Sequence, residues 1–221
     1  MIRKTKIIAT IGPATSERSV LKRIIEKGVN VCRLNFSHIN HEDAKEIIST
    51  IKSINQELNV HTAILADLQG PKIRIGKLEI PLKIKPGQEL VFTTKTPKKN
   101  QMFIGYKSFA KDVSPGENIL IDDGKIKLKV IESNNKDQIT AKVLVPGVLS
   151  SFKGVNLPNT KISLPCLTPK DKKDLTFILK EKIEWLALSF VRQAQDLISL
   201  RKILRRNKSK IGVISKIEKP E

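Results

Sequence analysis

The feature that most constrains the fold is an apolar run that ends in charge. Ala63 to Ala66 leads into Asp67, a Gly70-Pro71 pair turns the chain, and Lys72 and Arg74 follow. A buried strand delivering charged groups at its C-terminal end has this pattern. The chain before it alternates strands and helices, whereas the chain after it alternates in strand fashion only. The stretch therefore reads as both a domain junction and part of a site.

Taken in order, Lys4 to Ile11 reads as strand one, stopped by Gly12-Pro13. Ser16 is the expected N-cap of a helix whose apolar face is Val20, Leu21, Ile24 and Ile25, with Gly28 at its end. Val29 to Leu34 is strand two, and Ala44, Ile47, Ile48, Ile51, Ile54 and Leu58 give helix two a 3.6-residue period. His61 to Asp67 is strand three. From Ile75 to Val155 no helix is expected. Runs such as Glu89 to Phe92, Ile119 to Ile121, Ile126 to Val130 and Ile139 to Val143 are separated by Pro86-Gly87, Pro115-Gly116, Asp123-Gly124 and Pro146-Gly147. The βα rhythm then resumes. Thr168-Pro169-Lys170-Asp171 opens a helix running to about Lys182, Trp185 to Phe190 is strand four, Ala194 to Arg206 is a helix, and Ile211 to Ile214 is strand five.

This order predicts an α/β fold in three segments. Residues 1–74 form the first part of a βα unit, 75–155 an inserted all-β domain, and 156–221 the second part. Five parallel strands fit either an open doubly wound sheet or an incomplete (β/α)8 TIM barrel, which needs eight. The turn after strand one lacks the Gly-x-Gly-x-x-Gly of a dinucleotide fold.

Composition narrows the function. With 41 Lys and Arg against 22 acids, the formal charge is +19. That suits nucleic acid or anionic, phosphorylated substrates. One Trp, one Tyr and the absence of an RNA- or DNA-binding motif argue against nucleic acid. No apolar run is long enough for a membrane span. The two cysteines, Cys32 and Cys166, sit in apolar surroundings and read as buried thiols, so a cytoplasmic location is expected.

The strand ends carry the chemistry. Strand two ends in Arg33, Asn35 and Ser37, and strand three in Asp67, Lys72 and Arg74. Strand four ends in Ser189 and Arg192, and strand five in Lys216 and Glu218. In a βα fold these ends share one face. Many cations with a few carboxylates suit phosphate and a divalent metal. Lys216 and Glu218, two apart on an extended segment, point the same way.

These residues resemble the pyruvate kinase family. The likeness runs in order through Lys4 to Ala14, Asn35-Phe36-Ser37-His38, Asp67 to Arg74, Ile121 to Gly124, Lys153 to Pro158, Ser189 to Arg192 and Ile214 to Glu218. It implies a (β/α)8 barrel with a β domain inserted after strand three, and phosphoryl transfer from phosphoenolpyruvate to ADP, giving pyruvate and ATP in glycolysis with Mg2+ or Mn2+. It implies that Arg33 binds phosphate and that Lys216 steadies the transferring group and the developing enolate. Glu218 would ligate the divalent metal. Asn35, Phe36, Ser37, His38, Arg74 and Lys153 would contact the nucleotide and its phosphates, with Lys153 in a domain that closes as a lid. Intact members form homotetramers.

Two departures follow from the resemblance. The monovalent-cation site would use Asn35, Ser37 and Asp67, but Leu68 stands where a Thr is common and Lys72 where potassium-dependent members carry Glu. K+ is therefore expected not to be required. The second divalent-metal ligand and strands six to eight would lie beyond Glu221, so the 221 residues alone are expected to be poorly stable with negligible turnover. The alternative is a truncated, non-catalytic paralogue that binds phosphorylated ligands, metal or nucleic acid.

Overall fold

The structure, a computed structural model, describes residues 4–218. The sequence reading sets the outer limits of its first and third segments at 1–3 and 219–221, which lie outside the described residues. The chain divides into two compact units, one built from the stretches up to Pro71 and from Pro165 onward, the other from Lys72–Leu164. The first unit begins with β1 (Ile8–Ile11), α1 (Arg18–Glu26), β2 (Val31–Asn35), α2 (His41–Glu57) and β3 (Ala63–Asp67). The second holds β4 (Leu82–Ile84), β5 (Glu89–Thr93), β6 (Gln101–Phe103), α3 (Phe109–Asp112), β7 (Asn118–Ile121), β8 (Ile126–Ser133), β9 (Gln138–Val145), β10 (Gly147–Leu149) and β11 (Val155–Asn156). The first then resumes with α4 (Pro169–Ile178), β12 (Trp185–Leu188), α5 (Ala194–Arg206) and β13 (Gly212–Ser215). Among the described residues no helix is long and apolar enough to cross a membrane.

In the first unit the sheet is parallel throughout and runs β1-β2-β3-β12-β13. A doubly wound sheet reverses its strand order at a switch point. This one never reverses, which excludes that alternative and leaves the singly wound order of a β/α barrel wall. Alternation along each strand then separates two faces. Cys32 and Leu34, Ile64 and Ala66, and Leu186 and Leu188 pack into one core with Leu21 and Ile25 of α1, Ile47 to Ile54 of α2, Leu175 of α4 and Leu200 of α5. Each buried Leu or Ile contributes about 1.5–3 kcal/mol. The residues between them project from the opposite face. Thr10, Arg33 and Leu65 share one register row, and Asn35 and Asp67 share a later row.

Local signals set the helix ends. Thr168 caps α4 through a reciprocal capping box with Asp171, and Pro169 occupies the first turn. Two ends differ from the sequence reading. The N-cap of α1 is Glu17, not Ser16, because the Glu17 carboxylate accepts from the backbone N–H of Ser19 and Val20 at a helix terminus that favours negative charge. The Ser16 hydroxyl donates to Pro13 O instead. Helix α4 stops at Ile178, short of Lys182, because the chain turns and Lys182 adopts φ +50°.

The second unit has its own core, including Phe92, Tyr106, Phe109, Leu128 and Ala141. Its six-stranded sheet runs β11-β7-β8-β9-β5-β6, beside a β10-β4 pair. Ile73 and Leu157 belong to this core, so the segments around them are held to the second unit. It contains one helical turn, α3, where the sequence reading expects no helix. Four residues are too few to show a helical period, and burial of Phe109 and Ala110 holds the turn in place. Pro146-Gly147 is also not the hairpin turn its composition suggests. Gly147 opens β10, and a Cβ there would lie 2.6 Å from Ile126 Cγ1, so close packing demands the glycine.

The loop after β3 is equally tight. Gly70 sits at φ +68°, and a Cβ there would lie 2.8 Å from Phe190 Cδ2 and 3.1 Å from Ser189 Cβ. Phe190 is itself held in the left-handed region at φ +56°. The loops after β3 and β12 thus interlock through two unusual backbone conformations. Gly70→Ala is expected to lower stability by about 1–3 kcal/mol, read as a lower urea midpoint; an unchanged midpoint would contradict the interlock.

Both cysteines are free and buried. Burial pushes the Cys32 thiol up to about 11 and the Cys166 thiol up to about 12. The thiolate is the reactive form. Native protein at pH 8 should therefore leave Ellman's reagent uncoloured, and both thiols should react in guanidinium. Rapid native labelling at pH 8 would show the burial to be wrong.

Candidate functional site

At the C-terminal ends of the first unit's strands, charged side chains converge on one buried carboxylate. Asp67 closes β3 and is 2% exposed. Arg33, from β2, donates to Asp67 Oδ2 through Nε at 2.8 Å and Nη2 at 2.5 Å. Its third contact is Nη1 to Thr10 Oγ1 at 2.8 Å. Lys216, just past β13, places Nζ 3.1 and 3.2 Å from the two Asp67 oxygens. It also donates to Ser189 Oγ at 2.8 Å and pairs with Glu218 Oε1 at 3.2 Å. Ser189 in turn donates to Leu68 O at 2.6 Å. An ionised carboxylate buried this deeply needs such partners, and the cations need it to offset their mutual repulsion.

Alternation explains the gathering. Thr10, Arg33 and Asp67 stand on the sheet face opposite the helices, and Ser189 and Lys216 follow just past the ends of β12 and β13. The neighbouring backbone is held rather than loose. Val191 N donates to Lys216 O and Lys216 N to Leu188 O, both at 3.0 Å. The Cys166 thiol donates to Ser189 O at 3.2 Å.

The loop after β2 lies alongside. Ser37 N donates to Asn35 Oδ1 at 3.1 Å, and His38 N to Asn35 O at 3.0 Å. Phe36 is fully buried, with its ring centroid 6.1 Å from Phe177 and 6.4 Å from His41. What Phe36 can offer a ligand is its backbone, not its ring. A cavity of about 720 Å³ opens between the loops after β1 and β2 and is lined by Thr10, Pro13, Asn35, His38 and Glu46, among others. Thr10 joins this cavity to the cation cluster.

Three of the sequence candidates belong to the second unit. Arg74 and Lys153 come together there. Arg74 pairs with Gly154 in an antiparallel bridge and donates from Nη1 to Phe152 O at 2.8 Å. Lys153 Nζ donates to Asp122 Oδ1 at 2.9 Å. That hydrogen bond holds the Asp122 carboxyl below the usual carboxylate range. Lys72, the third, is exposed.

Two points bear on metals. Among the described residues no three His, Cys, Asp or Glu side chains gather as a metal cluster. Glu218 remains a partly exposed carboxylate paired with Lys216. A magnesium ion often takes only one or two protein carboxylates, with substrate oxygens and water completing its shell, so Glu218 fits as a single donor. Asp67, read from sequence as a monovalent-cation ligand, has both oxygens engaged by Arg33 and Lys216.

Sequence reasoning also passed over contributors. Thr10 stands at the end of β1, as the other candidates stand at theirs, and applying the strand-end rule to strand one would have found it. Lys170, Asp174 and His41, which meet around Phe36, carry no comparable signal. They come from two helices and read as ordinary surface charges.

The family described as "Pyruvate kinase, barrel domain" matches residues 2–221. The pyruvate kinases of Staphylococcus epidermidis and Staphylococcus aureus are each 39% identical over 226 residues, covering 100% of this chain. The chain spans 38% of the length of these curated relatives. With a match that extends over nearly every residue, the chain belongs to the pyruvate kinase family.

Proposed function

We propose that this chain carries the part of a pyruvate kinase active site that receives phosphoenolpyruvate and ADP, for phosphoryl transfer giving pyruvate and ATP. The observation that carries the reading is the convergence of Arg33 and Lys216 on Asp67 at the ends of parallel strands. In phosphoryl transfer the protein's work is positioning and charge stabilisation. Arg33 spends three of its N–H groups on Asp67 and Thr10. A guanidinium has five, which leaves two for a phosphate. Lys216 lies between Asp67, Ser189 and Glu218, so its ammonium is held where an incoming phosphoryl oxygen can replace one of these contacts.

Within this reading, Glu218 holds Mg2+ or Mn2+ together with substrate oxygens, and the metal supplies neutralising charge. The cavity beside Thr10, Pro13, Asn35 and His38 takes the nucleotide; about 720 Å³ is within the usual range for small-molecule sites. The second unit, which we read as the β domain inserted after strand three of an eight-stranded barrel, holds Arg74 and Lys153. K+ is not required, because Leu68 stands where a Thr is common and Lys72 where potassium-dependent members carry Glu.

The test is pyruvate formation from phosphoenolpyruvate, ADP and Mg2+ by the protein purified from its native source. Lys216→Met should lower kcat by about 10²–10³-fold while leaving ADP affinity nearly unchanged. Binding of both substrates without any pyruvate would instead support the non-catalytic phospholigand reading. In the same assay, exchanging tetramethylammonium chloride for KCl should change the rate less than about twofold. A large potassium activation would overturn the potassium-independent assignment and return Asp67 to a bound cation.

A further inference from the structure

Phe36 is pinned from four directions, and only one of them comes from its own strand neighbourhood. Its N–H donates to Asp67 O at 3.0 Å. Its ring packs against the His41 and Phe177 rings, which stack on each other at 4.6 Å and 6°. Its carbonyl accepts from Lys170 Nζ at 2.6 Å. Lys170 and Asp174 stand one turn apart on α4 and form an ion pair at 2.7 Å through Asp174 Oδ2. Asp174 Oδ1 meets His41 Nε2 at 2.8 Å. Asp174 is 3% exposed, so its carboxylate depends on these two partners.

We infer that Lys170, oriented by the buried Asp174 carboxylate and its His41 partner, is a positioning residue that clamps the Phe36 carbonyl and sets the Asn35–His38 loop for ligand binding. The inference rests on the nucleotide-site reading proposed above. The physical logic is leverage over a short loop. Asn35 and Ser37 flank the clamped peptide, and Asn35 and His38 line the cavity. Charge-assisted hydrogen bonds are shorter and stronger than neutral ones, and this one attaches the loop to a helix of the surrounding layer. Asp174 keeps the ammonium in place, and His41 holds Asp174 while packing on the Phe36 ring. Each of the three side chains constrains the next, and the chain of contacts ends on a backbone atom next to Asn35 and Ser37. An ordinary surface salt bridge between α4 neighbours would not explain the contact to Phe36 O or the burial of Asp174.

The variants are Lys170→Met, Lys170→Arg, and Lys170→Met combined with Asp174→Asn. The double variant removes the carboxylate that Lys170→Met alone would leave with one partner, so the experiment survives if the single variant fails to fold. Amide hydrogen exchange at Phe36, Ser37, His38 and Ile39 should quicken about tenfold in the double variant, with β2 amides before Leu34 unchanged and the arginine variant close to wild type. ADP affinity, measured by calorimetry, should fall about tenfold in the double variant and recover with arginine. Unchanged exchange at these amides would overturn the clamp. Faster exchange with unaltered ADP affinity would overturn its role in binding. A wild-type chain that fails to bind ADP would sink the nucleotide-site reading, while the exchange result would still decide the clamp.

Discussion

A single buried carboxylate organises the first unit. Asp67 lies at the end of β3 with 2% of its surface exposed, and its partners arrive from three other strand ends. Arg33 comes from β2, Ser189 from just past β12 and Lys216 from just past β13. None of these strands is joined to β3 by a hairpin; parallel pairing sets β2 and β12 directly beside β3, with β13 beyond β12. Removing one partner of such a cluster leaves an uncompensated buried charge. The cluster therefore ties the sheet order to the candidate site, since a different strand order would strand Asp67 without its cations. The close fit of Gly70 against Phe190 holds the two loops that bracket it.

The sheet serves two purposes because its residues alternate. One face, with Leu34, Ala66 and Leu186, is buried against four helices and supplies most of the hydrophobic driving force. The other face carries Thr10, Arg33 and Asp67. A helix reaches the loop beside the candidate site as well. Through Lys170, α4 reaches the carbonyl of Phe36 and so links its own packing to the loop after β2. The large positive charge is distributed differently. The cations Arg201, Lys202, Arg205 and Arg206 of α5 are exposed, while Leu200 and Leu204 of the same helix are buried, as a solvated outer face requires. Only a few of the many cations are drawn inward to carboxylates.

The fold was legible in the sequence wherever periodicity or capping spoke clearly. The period of Ile47, Ile48, Ile51 and Ile54 marks α2, and Thr168-Pro169-Lys170-Asp171 marks the start of α4. The readings that missed were local competitions. Ser16 and Glu17 can each cap a helix, and only the path of the turn decides which reaches the free N–H groups. Pro146-Gly147 has turn composition, but its glycine answers the approach of Ile126, a residue 21 positions away. The helical turn at Phe109 is shorter than any pattern that could reveal it.

The sequence by itself determined where charged groups follow apolar strands and the family to which the chain belongs. Polar groups placed directly after apolar strands are costly to bury without a purpose, so Arg33, Asp67 and Lys216 stand out along a single chain. Tertiary structure alone decided which of them meet. It set Arg33 and Lys216 on the two oxygens of Asp67, turned the ring of Phe36 into the core, and brought Lys170, Asp174 and His41 together from separate helices. The reason is range: hydrophobic period and capping act over a few residues and can be read locally, whereas a buried charge can be satisfied by a group far along the chain, as Asp67 is by Lys216, 149 positions away, and only the folded sheet order makes them neighbours.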